Sequence, residues 1–143
     1  ICDRVDLGNC APVLGNRFTL EARFYFDGGR YGRGQLLGSE SFRAPAISFH
    51  NHGKEIRYGF YTNNIVRGNR GIALNLNTQK AWHHVATTFD GTNYRLFLDG
   101  EEIDYTTAFQ GLTPPNTERV TLIGTKSYLG KVDEVRMWSV VRT

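Results

Sequence analysis

Residues 82–91, WHHVATTFDG, are followed by YRLFLDG at residues 94–100, and this stretch constrains the fold more than any other. An Asp-Gly pair ends each segment and favours a tight turn, because glycine adopts positive φ without strain. The first segment alternates between two faces, as a strand does: one carries His83, Val85, Thr87 and Phe89, the other Trp82, His84, Ala86 and Thr88. The stretch therefore predicts an antiparallel hairpin that ends in a second turn.

The same alternation recurs along the chain and predicts about eleven short strands. It is clearest at residues 18–26, where Phe18, Leu20, Ala22, Phe24 and Phe26 would face a core. No helix of normal length and no repeat is indicated. Short strands separated by turn residues are typical of an all-β, two-sheet antiparallel sandwich. No linker divides the sequence, so residues 1–143 form a single predicted domain.

The charge composition leaves anionic ligands possible and does not indicate nucleic-acid binding. The 143 residues carry a net charge of only +3, yet 13 of the 17 basic residues are arginine, the residue suited to planar recognition of carboxylate, sulfate or phosphate. The alternative is that these arginines simply cover polar strand faces and loops. No basic run with interleaved aromatics indicates nucleic-acid binding. No apolar run reaches the ~20 residues of a membrane helix, so no membrane insertion is expected.

A second predicted hairpin, residues 46–50 and 55–62, carries the most ligand-like surface. Its outer face would combine Ser48, His50, Glu55, Arg57 and Tyr61, although such a face can also be an ordinary polar one with cross-strand charge pairs. Adjoining loops add amide, guanidinium and phenol groups. The predicted ligand-binding residues are Tyr31, Arg33, His50, Asn51, Arg57, Tyr61, Asn63 and Asn64. The loop that contains Tyr31 and Arg33 is glycine-rich, but a predicted strand follows it rather than the helix that a phosphate-binding loop needs. We therefore interpret it as a flexible surface loop whose side chains are free to contact a ligand.

Five motifs in order resemble one family. They are FTLEA at residues 18–22, WHHVA with FDG at 82–91, LFLDG at 96–100, LIG at 122–124 and GKVDEVRMW at 130–138. The set is similar to the laminin-G-like branch of the concanavalin-A-like lectin/glucanase superfamily, a jelly-roll β-sandwich. Arg23 departs from the pattern, since the family usually carries tryptophan or another large apolar residue there. The resemblance implies a secreted protein that binds carbohydrate, glycosaminoglycan or protein.

The resemblance also implies a calcium ion and bears on the cysteines. In related jelly rolls calcium often joins an N-terminal acidic residue to the aspartate of the last strand, which here implies Asp3 and Asp133, with Asp6 in reserve. Backbone carbonyls and water would complete the six to eight oxygens that calcium needs. Because the fold is mostly extracellular, a Cys2–Cys10 disulfide is favoured, and two free thiols or an intermolecular bridge are the alternatives.

Catalysis is not expected. Glucanases of this superfamily place three acidic residues on one face of a strand, and no such pattern occurs here. The densest acidic cluster, residues 101–104, follows a turn, and Asp133 and Glu134 would point to opposite faces. His50, His52, His83 and His84 lack a clear set of companion metal ligands. His84 is predicted to be a hydrogen-bonded framework residue.

The resulting first hypothesis is a non-catalytic lectin or carbohydrate-binding module that holds glycans on a sheet face and its adjoining loops, with calcium as a candidate cofactor. The alternative is an extracellular adhesion or structural module that binds protein, a heparin-like glycan or an acidic protein surface. A glycoside hydrolase of the same fold is less favoured. The sequence leaves the sugar and the oligomeric state open.

Overall fold

Among the residues that it describes, the computed structural model contains eleven strands and one short 3₁₀ turn, Asn51–Gly53. It describes residues 5–6, 16–27, 33–38, 45–61, 70–74, 80–114, 122–124 and 128–142. The strands are β1 (Val5–Asp6), β2 (Phe18–Phe26), β3 (Gly34–Gly38), β4 (Ala46–His50), β5 (Glu55–Gly59), β6 (Arg70–Ala73), β7 (Trp82–Phe89), β8 (Tyr94–Leu98), β9 (Glu101–Thr106), β10 (Leu122–Ile123) and β11 (Gly130–Trp138).

The strands form two antiparallel sheets. The six-stranded sheet has the order β1-β10-β3-β4-β5-β6, and the five-stranded sheet has the order β11-β2-β7-β8-β9. The chain passes between the sheets, because β2 and β7 are neighbours while β3 to β6 lie in the other sheet. The predicted all-β jelly-roll sandwich is confirmed. Within the described ranges, no helix has the length and apolar character needed to cross a membrane.

The inward faces of both sheets meet in one core. All five side chains of β2 predicted to face inward are fully buried, which confirms that alternation. At one end of the core, five aromatic rings lie with neighbouring centroids 5.0–6.4 Å apart. At this spacing each pair stabilises the fold by about 0.5–1.5 kcal/mol beyond the contribution of its buried area. The rings are Phe18, Phe60, Phe89, Tyr94 and Phe109.

The predicted hairpin is β7 and β8, and its two Asp-Gly pairs act differently. Asp90 Oδ1 accepts the backbone N–H groups of Thr92 and Asn93 at 2.8 and 2.6 Å, so a loop longer than two residues joins the strands. Asp99 and Gly100 form a two-residue turn between β8 and β9 with φ of 51° and 82°. Positive φ at both positions matches the right-handed twist of the flanking strands.

The structure ends β5 three residues earlier than predicted. The predicted strand continued to Thr62, but β5 ends at Gly59, where φ is 146°. Glycine adopts this positive φ at little cost, and the chain leaves the sheet there. Phe60 still reaches the core, whereas Tyr61 lies beyond the strand.

Candidate functional site

The outer face of the six-stranded sheet brings together the polar side chains of β3, β4 and β5. We call it the Arg57 face, and it consists of Arg33, Gln35, Ser48, His50, Glu55 and Arg57. Ser48 lies opposite Arg57 and His50 opposite Glu55, while Gln35 is the partner of Ser48 on the next strand. The alternating residues Ile47, Phe49, Ile56 and Tyr58 are fully buried on the inner face. The pleat therefore directs this set away from the core, as the sequence predicts for its residues on β4 and β5. Ser48 and Gln35 are nevertheless buried, at 3% and 8% exposure.

Two short contacts order the Arg57 face. Arg57 Nε donates to Glu55 Oε1 at 2.7 Å, and Ser48 Oγ lies 3.0 Å from His50 Nε2. The side chains of Arg57 and Glu55 are 35% and 28% exposed, so the pair is ordered yet accessible. The bond uses Nε, and the two terminal guanidinium nitrogens have no partner among the described residues. Arg57 thus keeps donors for a ligand beside an oriented carboxylate.

His50 stands among these charges and responds to them. Burial lowers its pKa below the usual value, and the positive charges of Arg57 and Arg33 lower it further, while Glu55 opposes the shift. The imidazole is therefore neutral near pH 7, and a neutral ring offers one donor and one acceptor. Together with the guanidinium and carboxylate, this arrangement can exchange hydrogen bonds with hydroxyl groups.

The structure places the predicted ligand-binding residues in three groups. Arg33, His50 and Arg57 share the Arg57 face, and exposed Asn51 follows His50 in the 3₁₀ turn with φ of 50°. Tyr61 is half-buried beyond the end of β5 rather than on the strand, because the strand ends at Gly59. Tyr31, Asn63 and Asn64 lie outside the described residues. Ligand binding by this set stays a prediction.

The predicted calcium and disulfide residues are only partly described. Asp133 is exposed on β11, and its Oδ1 accepts the backbone N–H of Glu134 at 2.8 Å. Asp3, Cys2 and Cys10 are outside the described residues, and Asp6 is described only as part of β1. In the ranges that the structure covers, no three His, Cys, Asp or Glu side chains cluster closely enough to hold a metal ion. Both expectations stay predictions.

Sequence reasoning missed an aromatic and cationic surface on the opposite sheet. We call it the Trp82 patch, and it consists of Arg23, Tyr25, Trp82 and Lys131 on the outer face of the five-stranded sheet. Trp82 is 41% exposed. The guanidinium carbon of Arg23 lies 5.1 Å from the Trp82 ring centroid, and Lys131 Nζ lies 5.4 Å from that of Tyr25. The alternation of β2 and β7 could have shown that Arg23, Tyr25 and Trp82 face outward. Only the register of β11, β2 and β7 in the sheet shows that these residues and Lys131 are neighbours.

Next to the Trp82 patch, Glu21 collects three contacts. Trp138 Nε1 donates to Glu21 Oε2 at 3.1 Å, Arg136 to Oε1 at 3.4 Å, and His84 Nε2 also lies 3.4 Å from Oε1. The Glu21 side chain is only 16% exposed. This carboxylate is therefore compensated within the framework, and the contact fits the framework role predicted for His84.

An open polar groove of about 620 Å³ runs along β9 beside Arg70. It is lined by Arg70, Glu102, Ile103, Asp104, Tyr105, Thr106 and Thr107. Asp104 accepts hydrogen bonds from Tyr58 Oη at 2.6 Å and from Arg70 Nε at 2.5 Å, and Arg95 donates to Glu102 at 2.7 Å. Both carboxylates are already paired, which makes the groove primarily a junction between the two sheets.

A family model described as the concanavalin A-like lectin/glucanases superfamily, Laminin_G_3, matches residues 3–143. No curated protein sequence is significantly similar to the chain. The match begins before β1 and continues past the end of β11.

Three solved structures are similar in fold. A candidate carbohydrate-binding protein from Bacteroides ovatus has 22% identity and a TM-score of 0.71, over 90% of this chain and 38% of that one. A SAP-like pentraxin from Limulus polyphemus has 13% identity and a TM-score of 0.66, over 90% of this chain and 66% of that one. The CBM40 of the Ruminococcus gnavus IT-sialidase, bound to α2,3-sialyllactose, has 15% identity and a TM-score of 0.71, over 100% of this chain and 90% of that one. The chain thus spans 38% and 66% of the first two, and these identities show the fold alone.

Proposed function

The chain belongs to the concanavalin A-like lectin/glucanases superfamily, and on this premise we propose that it is a non-catalytic carbohydrate-binding module. Its glycan lies on the Arg57 face. Two of the similar folds support this choice, one being a candidate carbohydrate-binding protein and the other a carbohydrate-binding module bound to a sialylated sugar. We also propose an extracellular location, in which a Cys2–Cys10 disulfide would persist.

The observation that carries the proposal is the Arg57–Glu55 pair beside neutral His50. Sugar hydroxyls both donate and accept, and neighbouring hydroxyls match side chains that hold donors and acceptors in fixed directions. Arg57 supplies donors, Glu55 acceptors and His50 one of each. Tyr61, half-buried after β5, supplies an aromatic surface for the C–H face of a pyranose ring.

A glycan array followed by calorimetry on Arg57→Ala and Tyr61→Ala tests this proposal. We expect each variant to lose about tenfold or more in affinity for the best glycan, as the loss of a charged hydrogen bond or a stacking contact implies. Arg95→Ala is the matched control, because Arg95 forms an ion pair of the same 2.7 Å length, is similarly exposed and lies on the other sheet. Unchanged binding by folded Arg57 and Tyr61 variants would remove the Arg57 face from consideration.

The main alternative, an adhesion module that binds protein, is separated by column retention. Release from agarose resin by free sugar favours the lectin, and release from it by salt alone favours charge-driven binding. No retention on any glycan would favour the protein-binding module. Release of reducing sugar from a bound polysaccharide would contradict the non-catalytic assignment.

A further inference from the structure

The Trp82 patch has the composition of a ligand site and lies on the sheet opposite the Arg57 face. Trp82 and Tyr25 are paired in register on β7 and β2, with ring centroids 5.9 Å apart and planes at 64°. Arg23 lies over the indole, and Lys131, which pairs with Tyr25 from β11, lies over the phenol ring. Two rings and two cations thus form one continuous surface across three strands.

In the part of the chain that the structure describes, the cations of the patch are not held in ion pairs. Neither Arg23 nor Lys131 forms an ion pair with another described residue, in contrast to Arg57, Arg70 and Arg95. Asp133 lies opposite Arg23 in the register, but its Oδ1 accepts a backbone N–H instead. Glu21 is bonded to Trp138 and Arg136. The positive charges of Arg23 and Lys131 are therefore available to an anionic ligand that approaches from solvent.

The wider outer face near the patch carries a small excess of basic residues. Along β2, β11 and the residues after β11, four basic side chains stand against three acidic ones. The basic residues are Arg23, Lys131, Arg136 and Arg142, and the acidic residues are Glu21, Asp133 and Glu134. A surface of this sign attracts an anion, while the exposed indole offers apolar area that water solvates poorly.

We propose that the Trp82 patch is a second binding site, specific for a glycan that carries sulfate or carboxylate groups. A pyranose ring packs its C–H face against Trp82, and Arg23 and Lys131 bind the anionic groups on either side of the rings. The site goes beyond the proposed function, because it uses the opposite sheet and a charged ligand. One module with both sites would join two glycan chains.

Calorimetry with three ligands tests this site. They are heparin, fully desulfated heparin, which keeps its carboxylates, and uncharged dextran. The variants are Trp82→Ala, Arg23→Gln and Lys131→Gln. We expect Trp82→Ala to weaken heparin binding about tenfold and each glutamine variant by about threefold to tenfold. The glutamine variants should also reduce the dependence of affinity on salt, since each removes one ionic contact. Retained affinity for desulfated heparin would assign carboxylate as the recognised group, and its loss would assign sulfate.

Two controls separate this site from the Arg57 face and from simple ion exchange. Arg57→Ala and Arg95→Ala should leave heparin affinity unchanged, and polyglutamate should bind far more weakly than heparin. The glutamine variants keep the proposal testable if Trp82→Ala fails to fold. Failure of the Arg57 glycan site would leave these heparin results unaffected, so the two proposals stand or fall separately.

Three outcomes would overturn the proposal. The first is heparin binding that none of the three patch variants weakens, and the second is polyglutamate binding equal to heparin binding. The third is a change of oligomeric state in Trp82→Ala by analytical ultracentrifugation with heparin affinity intact, which would identify the patch as a contact between two copies of the chain.

Discussion

Gly71 leaves the space that the Glu55 carboxylate occupies on the outer face of the six-stranded sheet. A methyl group at position 71 would lie 2.5 Å from Glu55 Oε1 and 3.5 Å from Arg57 Nε. Gly71 is the register partner of Arg57, and Arg57 Nε donates to that same Oε1. The ion pair at the centre of the Arg57 face thus depends on the absence of a side chain on the neighbouring strand.

Gly71→Ala should therefore weaken glycan binding several-fold by turning the Glu55 carboxylate away from Arg57. The free energy of unfolding should change by less than about 1 kcal/mol, because the displaced group is the end of a flexible, partly exposed side chain. Calorimetry and urea unfolding measure the two effects. Glu55→Gln is the companion variant, since it keeps an acceptor oxygen without the charge. Full affinity in folded Gly71→Ala would show that the orientation of Glu55 is not needed.

Tyr58, Asp104 and Arg70 should behave as one energetic unit that joins the sheets. Burial and the Asp104 carboxylate raise the pKa of Tyr58, so its hydroxyl remains a proton donor. Asp104→Ala should cost about 1–3 kcal/mol, because it leaves the Tyr58 hydroxyl without this partner inside the protein. Tyr58→Phe should cost about 0.5–1.5 kcal/mol, since Asp104 keeps Arg70.

A double-mutant cycle from urea unfolding checks this coupling. The double variant should be no less stable than Asp104→Ala alone, because removing the hydroxyl also removes the unsatisfied donor. Strictly additive losses would contradict a shared unit.

Acidification should destabilise the protein through His50. Its pKa is lowered in the folded state, so protonation is harder there than in the unfolded chain, whose histidine pKa is about 6.5. Stability is unaffected well above that value and falls as the pH decreases through it toward the folded pKa. Melting temperatures of the wild type and His50→Gln between pH 8 and 5 should diverge below about pH 6.5, with the wild type losing more. A constant difference across this range would exclude His50 as the source.

Calcium binding through Asp3 and Asp133 remains a prediction with a thermodynamic readout. A ligand that binds only the folded state raises stability with its concentration, by about 2.7 kcal/mol at 100 times the dissociation constant. Calcium should raise the melting temperature, EDTA should reverse the rise, and Asp133→Asn should abolish it. Glu134→Gln, the adjacent position, is the matched control. Equal melting temperatures in calcium and EDTA would reject the site.

The sandwich could be predicted because its strands carry regular alternation. In β2 every second residue is fully buried, and the same period identifies β7 and β8. The break in β11 could not be predicted from that period. Asp133 pairs with Arg23 and Arg136 with Glu21, so two residues of β11 oppose one of β2, and Glu134 has φ of 49°. The interpretation of Asp133 and Glu134 as neighbours in a regular strand is therefore wrong, since a β-bulge intervenes.

The two candidate surfaces differ in how far the sequence could define them. Strands β4 and β5 are adjacent in the sequence, so one tight connection sets their register and brings His50, Glu55 and Arg57 together. The Trp82 patch draws on β2, β7 and β11, which are distant in the sequence, and their order in the sheet is a property of the tertiary fold. Trp82 was consequently not among the predicted ligand-binding residues, although it is 41% exposed.

The contact between Arg70 and Asp104 also affects the tendency of the protein to aggregate at high concentration. Among the described strands, β6 and β9 are the terminal strands of their sheets, and such edges can recruit a strand from another chain. The ion pair between Arg70 and Asp104 joins these two edges, and Glu101 and Glu102 add negative charge along β9. An incoming strand would have to break this ion pair and bury those charges, so the pair acts as a barrier to edge-to-edge aggregation.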